Sequence, residues 1–310
     1  MAYGCYTAYK LNNGCHMSRR RKSESKPNRN FGKPFAFAMV FVLAFALIYT
    51  FLFTDTGLTP GDNEIIVAFL DVGQGDSILI WSRDNAVLID GGEFARRDTV
   101  LRYLRQAGIT RLCYVIATHP HSDHIGGLIG VLSRVEVGQV LMPDVVHTTT
   151  TFENFLAVIG NNQIPTAAPE PGQRFTAGII DFTVLAPLPG HRNLNDASIV
   201  VRLQHGDTSF MFTGDMEAAG ERALVASGQY LRSDVLKIGH HGSRTSTSEA
   251  FLDAVGPMAA VIQVGGNNRF GHPHPYVMER LYERGIGVFR TDLMGTVFMA
   301  SDGERVVVLE

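Results

Sequence analysis

From Ile65 onward the sequence returns again and again to one pattern, a short apolar run rich in β-branched residues that stops at a loop of glycine, aspartate or histidine. The runs are IIVAFLDV, SILIW, AVLID, LCYVIAT, QVLMP, IIDFTVLA, SIVVRLQ, TSFMFTGD, DVLKIG, AAVIQVG, GVFRT, GTVFMA and RVVVLE. Their length and composition predict strands. Stretches with helical spacing fall between them, at 98–107, 125–132, 151–159, 217–227, 248–254 and 275–284. Strands that open as hairpins and then alternate with helices predict an α/β layered domain with buried sheets over residues 65–310. Hydrophobic residues make up 45% of the chain, enough to fill such a core and too many for a disordered one.

The chemistry sits where these runs end. THPHSDHIGG follows LCYVIAT and places His119, His121, Asp123 and His124 within six residues. A loop lets alternate side chains turn to a common point, so three imidazoles and a carboxylate at a strand end read as a metal site, suited to zinc, manganese or iron. TSFMFTGDME ends a second run with Asp215, which alone reads as a helix cap and beside the histidine cluster reads as a metal bridge. DVLKIGHHGSRTS delivers His240 and His241, and GGNNRFGHPHPYV delivers His272 and His274. Most of the 11 histidines thus fall in three strand-end loops, as an active site built along one sheet edge requires. Asp71 and Asp76 in FLDVGQGDS, and Asp90 in LIDGG, are expected to support the ligands or the fold rather than bind metal.

Residues 34–54 form an uncharged apolar run, long enough at 1.5 Å per residue to cross a hydrocarbon core of about 30 Å. It is predicted to be a single transmembrane anchor. Residues 1–33 carry Lys10, Arg19, Arg20, Arg21, Lys22, Lys26, Arg29 and Lys33 against one acid, Glu24, and residues 55–64 make a short linker with Asp55 and Asp62. This asymmetry places the tail in the cytoplasm and the body outside the membrane. The body carries the acidic surplus of a chain whose net charge is -3, which argues against a groove that grips nucleic acid by charge alone.

The order HxHxDH, TGD, late His resembles the metallo-β-lactamase fold superfamily. More narrowly, FLDVGQGDSILI, LIDGG, THPHSDHIGG, NDASIVVRL, FMFTGDME, DVLKIGHHGS and FGHPHP with FRTDLMGT resemble the ComEC/Rec2 group, the hydrolase-like domain of bacterial competence channels. The resemblance implies a four-layer αββα fold binding one or two divalent metals, zinc or manganese. It implies that His119 and His121 bind the first metal, Asp123 and His124 the second, and Asp215 both. The final metal histidine falls on His240 or His272, with His272 favoured, and the other then serves as general acid. The third histidine usual at the first site has no clean match, because NDAS (Asn195, Asp196, Ser198) occupies that region, with His191 and His205 nearby.

Asp123, His240 and His241 are the catalytic candidates, and Ser243, Arg244 and the stretch Asn267, Asn268 and Arg269 the candidate phosphate contacts, because they sit in the histidine-bearing loops. The function implied is an outward-facing, membrane-anchored phosphodiesterase or nuclease acting on DNA. A hydrolase of a small ester, lactone or β-lactam, and a non-catalytic metal-binding docking module, are the alternatives. One membrane span cannot form a many-helix channel, so a role in DNA uptake needs a separate channel or uptake protein.

Overall fold

The computed structural model describes residues 58–191 and 193–309. The expected anchor at 34–54 and the basic tail lie outside them. Among the described residues no helix is long and apolar enough to cross a membrane.

The elements run β1 (Ile65–Phe69), β2 (Ile78–Trp81), β3 (Ala86–Ile89), α1 (Arg97–Gln106), β4 (Arg111–Ile116), α2 (Ser122–Leu132), β5 (Glu136–Leu141), α3 (Thr150–Asn161), β6 (Thr166–Ala167), β7 (Arg174–Ala177) and β8 (Ile180–Ala186). There follow β9 (Val200–His205), β10 (Thr208–Phe212), α4 (Ala218–Ala226), β11 (Val235–Lys237), α5 (Glu249–Val255), β12 (Ala259–Ile262), α6 (Pro275–Glu283), β13 (Gly287–Arg290), α7 (Thr291–Met294), β14 (Val297–Ser301) and β15 (Val306–Leu309). The helical stretches read from spacing coincide with α1 to α6. One sheet has the order β15-β14-β1-β2-β3-β4-β5-β6 and the other β13-β12-β11-β10-β9-β8-β7.

The burial pattern explains why the strands read as continuous apolar runs. In β1, Ile65, Val67 and Phe69 face the core between the sheets, where they meet Phe182, Val201, Phe210 and Phe212 of the second sheet. Ile66 and Ala68 point the other way, to a core shared with Val100 and Leu104 of α1, Leu128 and Val131 of α2 and Phe155 of α3. The second sheet does the same: Met211 and Leu236 face Leu224 of α4, Phe251 and Leu252 of α5 and Val277 of α6. Both faces of each sheet are thereby covered, which gives the layer order helix, sheet, sheet, helix. Each sheet turns parallel toward its functional part, β3-β4-β5 in one and β10-β11-β12-β13 in the other. The last strands return to the first sheet, where β14 lies antiparallel beside β1 with Ile65 opposite Ser301.

Candidate metal centre

Loops that follow parallel strands of both sheets meet at one edge. From β4 the chain passes through Thr118 to His119, and α2 begins beyond His121 with Asp123 in its first turn. Beyond β10 comes Asp215, beyond β11 come His240 and His241, and beyond β12 comes the loop that ends in His272 and His274. Glycine is required where backbones touch. A Cβ at Gly127 in α2 would sit 1.9 Å from the Gly91 carbonyl oxygen, and one at Gly75, whose φ is +134°, would sit 2.3 Å from that of Asp123. GQGD is thus the point where the β1–β2 turn presses on the metal loop, and IGG the point where α2 presses on the LIDGG turn after β3.

The GHHG segment is backbone-strained. His240 (φ 47°, ψ 46°) and His241 (φ 54°, ψ 24°) both occupy the left-handed region, where a side chain costs roughly 1–2 kcal/mol per residue. Hydrogen bonds hold it there: His240 N–H donates to Gly214 O (3.2 Å), His274 N–H to Gly242 O (2.8 Å), and Ser246 Oγ to Gly239 O (2.7 Å). His241 Nδ1 lies 2.9 Å from Gln263 O, which points its Nε2 inward. Strain stabilised by so many partners is typical of a functional turn.

Asp215 is the hub. Its Oδ2 lies 3.3 Å from His124 Nε2, 3.6 Å from His241 Nε2, 3.7 Å from His240 Nε2 and 3.8 Å from His119 Nε2. Donor atoms of Asp123, His124, Asp215 and His241 all lie within 4.8 Å of one another, and those of His119, His121 and Asp215 form a second such set. His119 Nε2 and His121 Nδ1 converge to 2.9 Å. His124 Nε2, His241 Nε2 and Asp215 Oδ1 are buried with no hydrogen-bond partner. An unpartnered buried polar group costs about 1–3 kcal/mol, so three together fit a site built for cations that complete their bonding. The donor set, imidazole and carboxylate, suits divalent metals.

Further carboxylates orient these ligands. Asp90, with φ 55°, accepts from Thr118 N–H (2.8 Å) and Thr118 Oγ1 (2.7 Å), and its Oδ2 lies 2.8 Å from His124 Nδ1, leaving Nε2 aimed at Asp215. Asp76 Oδ1 lies 3.3 Å from His241 Nδ1, and its other oxygen is paired with the ammonium of Lys237, itself fully buried and donating to Gly214 O (3.1 Å). Asp76, Asp90 and His124 also lie within ligand distance of one another, but Lys237 and Thr118 occupy those carboxylates. Such carboxylate–histidine contacts fix ring orientation and tautomer.

The charges are strongly interdependent. Burial alone would lower the His241 pKa, but Asp215 and Asp76 outweigh it and push it up to about 10. Burial is likewise overcome at His124, which Asp215, Asp90 and Asp123 hold well above the ordinary value. His119 goes the other way, lowered by burial and by the neighbouring His124. At Asp123 burial opposes ionisation, yet His124 and His241 keep its pKa below the usual carboxylate range. Without metal, then, protons stand on His124 and His241 where cations would otherwise balance the carboxylates.

Residues 70–266 match the family profile described as the Metallo-beta-lactamase superfamily. The chain belongs to that superfamily.

Within it, this metallo-β-lactamase-fold protein is ComEC/Rec2-like: it is 32% identical over 254 residues to ComE operon protein 3 of Bacillus subtilis, and 34% identical over 248 residues to competence protein ComA of Neisseria gonorrhoeae. Each alignment covers 76% of this chain, but only 33% and 32% of the relatives, so the chain spans about a third of their length. The fold is shared with the metallo-beta-lactamase fold protein YhfI of Bacillus subtilis, at a TM-score of 0.54 and 16% identity, over 77% of this chain and all of that one.

The late histidine of the superfamily pattern corrects one expectation. Neither His240 nor His272 stands in a donor set; His241 does. The left-handed turn brings both rings to Asp215, and they differ in their other neighbours: His241 is buried with Nε2 also 3.3 Å from Asp123 Oδ2, whereas His240 approaches from the more exposed side. His240 has Nδ1 3.2 Å from Glu217 Oε1 and a side chain 25% exposed. The ring of His272 packs 5.7 Å from that of His240, and burial and that neighbour lower its pKa to about 4. Among the candidate phosphate contacts, Arg244 and Asn267 are exposed on the loops around the opening, whereas Ser243 is buried with its hydroxyl 2.9 Å from Thr245 Oγ1.

NDAS supplies no imidazole. Ser198 Oγ accepts from Asp215 N–H (3.1 Å), and Asp196 Oδ1 accepts from Glu217 and Gly220 N–H (3.1 Å each), so this segment fixes the backbone that carries Asp215 and the start of α4. His205 lies elsewhere, 2.7 Å from Ser301 Oγ, and His191 is exposed. Lys237 and Glu217 are the functional neighbours that spacing alone does not reveal. The one available signal for Lys237 was a charge inside DVLKIG, a run otherwise apolar through its strand.

Proposed function

We infer that this protein is a membrane-anchored hydrolase that cleaves phosphodiester bonds of DNA outside the cytoplasm with two divalent cations, zinc or manganese. The observation that carries the reading is that two donor sets, with buried unpartnered atoms among them, share Asp215. Asp123, His124, His241 and Asp215 would hold one cation, and His119, His121 and Asp215 the other. When bound, two such cations supply Lewis acidity to phosphoryl oxygens and lower the pKa of water.

The chain's own groups do the rest. His240, held through Nδ1 3.2 Å from Glu217 Oε1 with its Nε2 3.7 Å from Asp215 Oδ2, is the group placed to give a proton to the departing alkoxide. Arg244 and Asn267 steady the flanking phosphates from the rim. Relatives named for competence support DNA as the polymer. The apolar run at 34–54 with basic residues before it supports an outward-facing body, and a separate channel protein would then carry any strand that enters the cell.

The test is an activity panel on the purified full chain in detergent. Single- and double-stranded DNA, bis-p-nitrophenyl phosphate and a chromogenic β-lactam are each assayed with Mn²⁺, Zn²⁺ and Mg²⁺. Cleavage of the phosphodiesters with little turnover of the β-lactam supports the reading. Turnover of the β-lactam alone would overturn it.

A further inference from the structure

His272 is in neither donor set, and its surroundings give it another use. It belongs to a short ladder of rings that leads out of the site: His240 to His272 at 5.7 Å between centroids and 74° between planes, then His272 to Phe270 at 5.7 Å and 25°, a stacked pair. Phe270 ends the ladder at the surface, 54% exposed. Single exposed apolar residues need no explanation. This one stands two rings beyond the residue assigned as proton donor, with His272 between them.

The loop that presents it is rigidly braced. The carboxamide of Asn268 accepts from Phe270 N–H (3.2 Å) and His272 N–H (3.0 Å) through Oδ1, and donates through Nδ2 to Gly265 O (2.9 Å) and His272 O (2.7 Å). Little conformational entropy is lost when such a ring receives a ligand. Beside it Arg269 is exposed, with its guanidinium carbon 5.0 Å from the Phe270 centroid. The guanidinium lies over the ring that His272 also stacks on, and an exposed arginine can swing from that face to a phosphate, leaving the phenyl face to a nucleobase held by its π-face and the adjoining phosphate held by charge. Bases in a duplex already stack on one another and offer no free face, whereas an unpaired base does.

We propose that Phe270, assisted by Arg269, is a stacking platform for an unpaired base beside the scissile phosphate, and makes the site select single-stranded over duplex DNA. The inference rests on the DNA reading above. Base–aromatic stacking is worth about 1–3 kcal/mol per base by alanine substitution, roughly 5- to 150-fold in affinity. The full chain in detergent with Mn²⁺ is compared with Phe270→Ala and Phe270→Trp on a fluorescent single-stranded oligonucleotide, on the same strand with abasic sites around the cleavage point, and on a duplex.

Phe270→Ala is expected to lower kcat/KM on the ordinary strand by roughly 5- to 150-fold, mainly through KM, with Phe270→Trp restoring it. The ratio of wild type to Phe270→Ala should fall toward unity on the abasic strand, which has no base to stack. An equal loss on ordinary and abasic strands, or no loss on either, overturns the platform while leaving DNA hydrolysis in place. A wild type that cleaves bis-p-nitrophenyl phosphate and no DNA overturns the DNA reading itself, and the platform with it.

Discussion

Two neighbouring histidines with the same backbone conformation do different work, and their surroundings decide which. His241 is enclosed by Asp76, Asp123 and Asp215, while His240 meets Glu217 at the opening. Replacing His240 by Ala should therefore slow hydrolysis of DNA by roughly 10²- to 10⁴-fold and of an activated p-nitrophenyl ester much less, because a good leaving group needs no proton. Elemental analysis should find the metal content of that variant unchanged, and that of His241→Ala reduced. Unequal metal loss in the opposite sense would reverse the two roles. Lys237 carries the next prediction. Removing one partner of a buried ion pair typically costs about 3–5 kcal/mol, since the other charge is left uncompensated. Lys237→Met should lower stability by up to about that amount in denaturant unfolding of metal-free protein, the lower part of the range being expected because His241 still faces Asp76 at 3.3 Å while Asp90 stands beside it. A loss under about 1 kcal/mol would mean that Asp76 becomes protonated at little cost. The spacing of His119, His121, Asp123 and His124 is visible in the sequence because it is local. The choice of His241 was not, since φ angles in GHHG are set by partners at Gly214, Gln263 and His274, distant along the chain.

Strand and helix positions were legible for a similar reason: each is written in the period of its own segment. Which strands adjoin was not, because β1 finds its partners in β2, next along the chain, and in β14, near its end. The contact between α2 and the LIDGG turn is an intermediate case, visible as glycines but not as a pairing. Gly127 N–H donates to Gly92 O (2.7 Å) and Gly91 N–H to His124 O (2.7 Å), so the turn and the first turns of α2 are bonded at van der Waals range. Gly127→Ala must push α2 away from Gly91. Overpacking of this kind costs roughly 1–3 kcal/mol, and here the displaced element carries Asp123 and His124. The denaturant midpoint should fall with an unchanged m-value, and metal affinity should fall with it. An alanine variant with parental stability and affinity would show that the turn, not the helix, gives way.

At the scale of the whole body, the metal site joins two sheets whose shared core is apolar and whose other polar contacts among the described residues are few, such as His205 and Thr208 with Ser301. His119, His121, Asp123 and His124 come from the first sheet, and Asp215 and His241 from the second. Protons take the place of cations when metal is removed, and this sets a pH dependence. The folded pKa of His241, about 10, lies above the ordinary 6.5, so its charge stabilises the metal-free fold fully below about pH 6.5 and loses that effect as the pH rises toward 10. His124, raised in the same direction, adds to it. In EDTA the melting temperature should therefore decline from pH 6.5 to 10, and added Mn²⁺ or Zn²⁺ should flatten that decline. A metal-free melting temperature that climbs across the same range would contradict the protonation scheme. The pairing of β1 with β14 has its own consequence, in the order in which a ribosome makes the chain. Ile65 leaves the ribosome long before Ser301, so the outer edge of β1, apolar on both faces, stays uncovered until β14 has been made. Until then the nascent chain offers a sticky margin to any other extended segment, and a stop codon placed before residue 297 would leave it that way for good.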